Sequence, residues 1–457
     1  MIEKTVLELK GMIDIVNDVA RFDNVSIKGV SINSRTVEPG NLFIPLKGER
    51  TDGHKFVELA LEQGATASLW QADIPNPPEN VPILIVEDTV KALHELSRAY
   101  RNELNLKVAA VTGSNGKTTT KDMLAELLSL KYKVQKTIGN FNNHLGLPLT
   151  ILSLRKDTEV AVLEMGMSEF GEIDFLTRLA KPDAAIITNI GEAHLQELGS
   201  REGIARAKLE ILNGLQPGGL FVYPGEEPLI HEAMQNENRW KIKTFGKSKR
   251  SDVYPTEITM TETESVFQIN VFDGTFRMPV LGEYNVMNAM AAMIVAHIWG
   301  VPFEQMNEAF RSLKLTQMRM EMADGLNGSK IINDAYNASP TSMIAVIRLA
   351  ENLPGYKKKI LVLGDMLELG PKEKEYHLNI GNAINHKSIH RVYTYGPLAK
   401  LIADGAKKHF DKEQVIAFDN KEDLIAKLKE DLEEGTLVVV KGSRGMKLEE
   451  VVETITK

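Results

Sequence analysis

The sequence contains no cysteine. A thiol nucleophile, a Cys-ligated zinc or iron–sulfur centre and a disulfide framework are therefore excluded, and a reducing compartment suits the chain. It also has no excess of basic residues: 54 Lys and Arg stand against 62 Asp and Glu, a formal net charge of -8. This argues against a protein that binds polyanions, nucleic acid included, over its whole surface, and leaves room for a local phosphate site. Long apolar runs are missing as well. The longest, Ala289 to Ala296, ends at His297 and falls short of the roughly 20 residues of a bilayer span. The first residues, MIEKTVLELKGMI, alternate charged and apolar side chains and lack the basic flank and continuous apolar stretch of a signal peptide. No internal repeat or low-complexity tract stands out. A cytoplasmic protein without membrane insertion is expected, and a monomer.

What is present is the composition of a folded chain, 43% hydrophobic and 25% charged, far from the disordered class. At about 150 residues per domain, a chain of 457 residues implies about three domains, because a single core stops growing below this length. Strands are predicted at 106–111 (LKVAAV), 159–165 (EVAVLEM), 184–190 (AAIITNI) and 219–224 (GLFVYP), and again at 360–366 (ILVLGDM), 392–396 (VYTYG) and 437–443 (LVVVKGS). After the first strand comes a helix with Met123, Leu124, Leu127 and Leu128 on one face. Continuous apolar strands between helices point to parallel sheets covered on both faces, hence an α/β fold with more than one sheet. One boundary is set near 105, after a helical stretch from Thr89 to Leu104. A second lies between a helix around 303–313 and a strand near 329–333, in LTQMRMEMADGLNGS, whose polar residues and glycines read as a linker. The division is therefore 1–105, 106–314 and 315–457.

The strongest local signal is Gly113-Ser114-Asn115-Gly116-Lys117-Thr118-Thr119, between a strand and a helix. Glycines let backbone N–H groups approach phosphate oxygens, and the helix N-terminus adds partial positive charge. Lys117 can reach terminal phosphates and a threonine hydroxyl can ligate Mg²⁺. Val111 occupies the place of the first glycine of the usual pattern, so this is a shorter form of the loop. Glu164 ends the next strand and His194 follows another, at the strand ends where doubly wound sheets gather ligands. An acid and a histidine there can hold Mg²⁺; an exposed loop acid and a hydrogen-bonded structural histidine are the plainer alternatives. The stretch from Gly203 to Leu215 reads as a helix with Ile204, Ile211, Leu212 and Leu215 on one face, and Lys208 falls within that face. Either its ammonium snorkels to the surface, or it is a lysine of depressed pKa, modified or poised near phosphate.

Taken in order, the loop, Glu164, His194 and Lys208 resemble the Mur ligase family, ATP-dependent amide ligases of bacterial cell-wall synthesis. Further segments carry the resemblance over nearly the whole chain: NSRTVEPGNLFIPLKGERTDGH (33–54), NFNNHLGLP (140–148), INDAYNASPTSM (332–343), LGDMLELG (363–370) and VKGSRGMKLEEVV (440–452). The resemblance implies three domains: one for the uridine nucleotide of the substrate, a central P-loop ATPase-type parallel sheet, and a C-terminal dinucleotide-binding-like domain that closes over the site. It implies ATP and Mg²⁺ as cofactors, with UDP-N-acetylmuramoyl-tripeptide and D-alanyl-D-alanine as the molecules joined. The family's Asp-Ser-Arg is here Asn33-Ser34-Arg35; Ser34 and Arg35 carry over as substrate-binding, as do Asn142 and Asn143. Asn285 and Asn288 carry over as adenine-side residues, next to Tyr284 where the family often has His. Arg319 matches an arginine that contacts ATP phosphate. Asp334, Tyr336 and Asn337 match a motif facing the active site, although Asp334 and Asn337 can also be read as capping a turn before the Pro340 helix. Thr118, Glu164, His194 and a CO₂-carbamylated Lys208 are the implied metal ligands.

The implied reaction activates a carboxylate as an acyl phosphate, with Lys117, Arg319 and Mg²⁺ neutralising charge, before the amine attacks. His194 is conceivable as a base there, with the Mg²⁺ role favoured by the resemblance. Two other functions compete: a sister ligase adding one amino acid, which LGDMLELG and DAYNASP disfavour, and a non-catalytic nucleotide-binding regulator, which the intact Lys117, Thr118, Glu164, His194 and Lys208 disfavour.

Overall fold

The apolar run after Leu106 becomes the strand Lys107–Thr112, whose Val108, Ala109, Ala110 and Val111 are fully buried. A computed structural model of the protein, describing residues 1–48 and 51–456, places this strand at the centre of a six-stranded sheet. The order across it is Lys241–Phe245, Leu220–Pro224, Ala184–Ile187, Lys107–Thr112, Val160–Glu164, Val134–Lys136, with every neighbouring pair parallel. The chain crosses first to one side of Lys107–Thr112 and then to the other, a switch point that leaves a crevice at the strand's carboxyl end. The phosphate-loop helix Lys117–Ser129 opens from that crevice. It packs against the helix Glu283–Ile298, in which Ala289 to Ala296 are all buried. The longest apolar run of the sequence is thus a core helix, and among the described residues no helix is long and apolar enough to cross a membrane.

The other face of the central sheet shares its core with the N-terminal unit. That unit is built on a parallel sheet of Val30–Ser31, Leu42–Phe43, Ala67–Gln71 and Ile83–Val86. Leu69, Leu84, Leu96 and Tyr100 of the first unit and Ile151, Leu163 and Ile187 of the second belong to one buried cluster. Buried polar atoms stitch the seam: the Tyr100 hydroxyl donates to Leu154 O at 2.8 Å and Arg101 Nε to Ala180 O at 2.8 Å.

The C-terminal unit holds a second six-stranded sheet, ordered Glu321–Asp324, Lys330–Asp334, Thr436–Lys441, Lys358–Gly364, Arg391–Tyr395, Val415–Phe418. All pairs are parallel except the first. Insertion of Thr436–Lys441 between Lys330–Asp334 and Lys358–Gly364 creates the second switch point, facing the first.

Two sequence readings are corrected here. The segment expected as a linker contains the strand Glu321–Asp324, an antiparallel edge on Lys330–Asp334. Its Met322 and Ala323 are half-buried while Glu321 and Asp324 are exposed, so its polarity reflects an edge rather than a loop. The helix expected over 203–215 runs over Arg201–Leu209 and then tightens into a 3₁₀ turn, Glu210–Asn213.

Candidate active site

Two glycines shape the phosphate loop. Gly116 has a φ of 79°, and a Cβ there would lie 2.5 Å from Asn288 Oδ1. Gly113 has a φ of 148°, and a Cβ there would overlap the Thr188 hydroxyl. Only glycine meets both demands. The loop is fastened to the end of the neighbouring strand: Asn115 N donates to Asn189 Oδ1 at 3.0 Å, Asn189 Nδ2 to Asn115 O at 3.1 Å, and Gly191 N to Ser114 Oγ at 2.9 Å. Lys117 folds over this cradle, its ammonium donating to Gly113 O at 2.8 Å. Burial lowers its pKa; Glu164 opposes that shift and Arg319 adds to it. Gly113 therefore holds Lys117 from below, whereas Ser114, Asn115, Gly116, Lys117, Thr118 and Thr119 line an adjoining cavity of about 780 Å³.

Glu164 ends its strand 2% exposed. Asn142 Nδ2 donates to its Oε1 at 2.7 Å. Its Oε2 is buried without a hydrogen-bond partner, with Lys121 Nζ at 3.9 Å. Asn143 lines the same wall while its Oδ1 accepts from Leu145 N and Gly146 N at 3.1 and 2.9 Å, starting the helix Gly146–Ser153. His194, in a left-handed backbone conformation with φ 61°, also faces the cavity. Burial, then the charges of Lys117 and Lys208, push its pKa down to about 4, which keeps the ring neutral. Its Nδ1 lies 2.9 Å from Glu368 Oε2. A neutral ring facing a carboxylate carries its proton on that nitrogen and leaves a lone pair on Nε2.

Lys208 is 2% exposed. The snorkelling reading therefore fails: the ammonium does not reach solvent. Burial, reinforced by the charge of Lys117, drives its pKa well below the ordinary lysine value. It is not among the residues that line the cavity, though its charge reaches His194.

The opposite wall comes from the C-terminal unit and the chain leading into it. Arg319, Asp334, Tyr336 and Asn337 all line the cavity. The Arg319 guanidinium lies 4.0 Å from the Tyr336 ring centroid, and its buried Nε has no hydrogen-bond partner. Asp334 and Lys441 are register partners on adjacent strands, so their side chains meet at 2.5 Å; Lys441 Nζ also donates to Asn337 O at 2.9 Å. The cap of the helix Pro340–Asn352 is Ser339, with Ser342 closing the capping box; ahead of it, Asn337 Oδ1 accepts from Ala338 N at 2.8 Å and Asp334 Oδ1 from Met320 N at 3.2 Å, so these two side chains hold local backbone as well as facing the cavity. Direct hydrogen bonds join the walls: Ser339 Oγ donates to Asn115 Oδ1 at 3.2 Å and Thr341 Oγ1 to Glu192 Oε2 at 2.6 Å. Behind the phosphate loop, Asp122 Oδ2 accepts from Thr316 N and Oγ1 at 2.9 and 2.8 Å, pinning the chain just before Arg319.

On the central side, Tyr284, Asn285 and Asn288 line the cavity together with Glu226, Phe245 and Lys247. The last three, and Lys441, escaped the sequence reading; position at the carboxyl end of a strand is the signal that identifies Lys441 and Phe245. Ser34 and Arg35 do not line this cavity. They start a turn in the N-terminal unit in which Asn33 Oδ1 accepts from Arg35 N at 3.1 Å, a capping role that Asn and Asp share.

Among the described residues no three His, Cys, Asp or Glu side chains converge as a metal cage. The arrangement fits Mg²⁺ nonetheless. That ion commonly takes one or two protein carboxylates and fills its remaining positions with water and substrate phosphate. The unpartnered Glu164 Oε2, the Thr118 hydroxyl and the neutral His194 suit it; Lys208 suits it only as an anion.

The chain matches the family models described as Mur ligase family, catalytic domain, over 26–101, Mur ligase middle domain, over 111–296, and Mur ligase, glutamate ligase domain, over 318–444. It is 50% identical over 455 residues to the UDP-N-acetylmuramoyl-tripeptide–D-alanyl-D-alanine ligase of Bacillus subtilis (strain 168), covering 100% of this chain and 99% of that one. The enzyme of the same name from Escherichia coli (strain K12) is 32% identical over 457 residues, with 98% of each chain covered. Crystal structure I of MurF from Acinetobacter baumannii aligns with a TM-score of 0.89 at 31% identity, covering 99% of this chain and 98% of that one. MurF ligase from Thermotoga maritima in complex with ADP aligns with a TM-score of 0.82 at 31% identity, covering 93% and 96%.

Proposed function

This chain belongs to the Mur ligase family, and we propose on that premise that it joins D-alanyl-D-alanine to UDP-N-acetylmuramoyl-tripeptide at the expense of ATP, forming ADP and phosphate. The observation that carries this reading is the single cavity shared by the phosphate loop, Glu164 and His194 on one wall and Arg319, Asp334 and Tyr336 on the other. The domain limits 1–105, 106–314 and 315–457 go with it; the three matched segments each fall inside one of them.

A carboxylate is a poor acyl donor. Its oxygen attacks the γ-phosphorus of ATP, the bond to the β-phosphate oxygen breaks, and an acyl phosphate and ADP result. The amine of D-alanyl-D-alanine then attacks the acyl carbon, phosphate leaves, and the nitrogen loses a proton. Backbone N–H groups of 116–118 and Lys117 receive the phosphates, while the N–H groups of Ser114 and Asn115 hold the loop to Asn189. Arg319, held flat by Tyr336, brings its unpartnered N–H to the charge that develops in transfer. Asn285 and Asn288 take the nucleoside end. Asn142 orients Glu164, and Lys441 orients Asp334 on the amine side. Ser34 and Arg35 hold the uridine nucleotide. Glu164, Thr118, His194 and carbamylated Lys208 would hold Mg²⁺, which when bound neutralises phosphate charge.

The depressed pKa of buried Lys208 supports carbamylation, because the free amine is the form that adds CO₂, losing one proton to give an anionic carbamate. Lys208→Ala is expected to be nearly inactive and partly rescued by short-chain carboxylates. Full activity of the variant in CO₂-depleted buffer would return Lys208 to a packing role. The function itself is tested by phosphate release: turnover must require ATP, the UDP-muramoyl tripeptide and D-alanyl-D-alanine together. Release without the acyl donor or without the amine acceptor points to a different activity.

A further inference from the structure

Glu368 belongs to the C-terminal unit, in a loop after the strand Lys358–Gly364, yet its carboxylate meets a histidine of the central unit. The Glu368 Oε2 to His194 Nδ1 distance is 2.9 Å. A backbone hydrogen bond runs beside this contact: Gln196 N donates to Glu368 O at 3.4 Å. Gly370 lies against the same segment, where a Cβ would make ordinary contact with Gln196 Cα at 3.4 Å.

The backbone tells the same story independently. His194 and Glu368 both lie in the left-handed region, with φ of 61° and 63°. Neither is glycine. Glutamate lacks the short side chain that lets Asn or Asp bond locally in that conformation. A strained residue persists only where its surroundings over-determine it, and such residues gather at working sites. Here two of them face each other across a boundary between units.

We propose that Glu368 is a positioning residue that fixes the tautomer and ring orientation of His194, so that docking of the C-terminal unit completes the histidine on the central one. The inference rests on the ligase reading above, in which His194 belongs to the metal set. A ligating histidine is oriented by whatever accepts its other N–H, and an outer carboxylate of this kind commonly tunes metal affinity 10–100-fold. The carboxylate comes from the C-terminal unit, across the boundary from the histidine it faces. Until that unit docks, the two ring nitrogens of His194 compete for the proton.

The test uses the full chain labelled with ¹⁵N-histidine, in ADP and EDTA, with His194 assigned by substitution. Wild type should show a protonated Nδ1 and an unprotonated Nε2. Glu368→Gln, whose amide oxygen still accepts, should keep that pattern; Glu368→Ala should shift the proton toward Nε2. In parallel, the Mg²⁺ concentration giving half-maximal turnover should rise 10–100-fold in Glu368→Ala, with ADP affinity in EDTA unchanged. An Nε2-protonated wild type, an unchanged pattern in Glu368→Ala, loss of the pattern in Glu368→Gln, or an unshifted Mg²⁺ requirement would each overturn the inference. The spectroscopic arm needs no ligation. Expected tautomers in a chain without ATP-dependent ligation would therefore overturn the functional reading alone, and intact ligation with unmoved tautomers would overturn Glu368 alone.

Discussion

Lys117 donates to the carbonyls of its own loop at 2.8 and 3.4 Å, an ammonium parked where phosphate oxygens belong. Lys117→Ala should leave the fold intact and lower turnover at saturating ATP by roughly 10²–10³-fold, the scale of losing one preorganised donor, about 3–4 kcal/mol. Near-wild-type turnover would sink the phosphate-loop role. Far from the cavity, Asp431 is 7% exposed, accepts from the Tyr393 hydroxyl and lies 3.1 Å from Lys358 Nζ. Burial raises its pKa, but Tyr393 and Lys358 outweigh burial and hold it below the ordinary aspartate value. A carboxyl lower in the folded than the unfolded chain adds stability that is complete above its unfolded value, about 3.9. That stability is lost as pH falls through the folded value. Tyr393→Phe should cost about 1.5–3 kcal/mol at pH 7, and its gap from wild type should narrow below about pH 4. Urea titrations at the two pH values decide; a constant gap counts against this pairing. Single residues were legible where spacing carries chemistry, as in Gly113 to Thr119. The bond of Lys441 to Asp334 was not, because the partners are 107 positions apart and only parallel register brings them together.

Among the elements, the phosphate-loop helix depends on one residue at its start. Gly116→Ala adds a Cβ 2.5 Å from Asn288 Oδ1 in a left-handed backbone, a conformation costing about 1–2 kcal/mol without glycine. The variant should lower the melting temperature and weaken ADP binding. Gly139→Ala, at φ 55° with nothing within 4 Å, is the control that adds backbone strain alone. Equal behaviour of the two variants would show that contact with Asn288 carries no weight. Central strands such as Val160–Glu164, buried at every position, announce themselves by unbroken apolar runs. The antiparallel trio Pro255–Met260, Ser265–Ile269 and Phe272–Met278 went unread, because many of its side chains meet water and its runs break up. The edge strand Glu321–Asp324 was hidden for the same reason.

At the scale of the molecule, the N-terminal and central units share a core. The C-terminal unit keeps cores of its own, which central-unit side chains join only at Leu281, Met260 and Tyr284 among the described residues. Movement is therefore expected at that junction. The radius of gyration in small-angle scattering should fall when an ATP analogue and the UDP substrate are added, because residues of both units line the one cavity and a ligand held there would draw them together. An unchanged radius with binding confirmed by calorimetry would contradict closure. The bond from Asp122 to Thr316 then sets the mechanics. Thr316 is so close in sequence to Arg319 that even a fully extended chain spans only about 10 Å between them. Arg319 is thus tethered close to a point fastened to the phosphate-loop helix, while Glu368 lies far along the chain from it. Rotation of the C-terminal unit about that point is expected to shift the arginine less than the contact of Glu368. The molecule should unfasten from its rim inward, with the guanidinium the last group to leave the phosphates and the first to find them again.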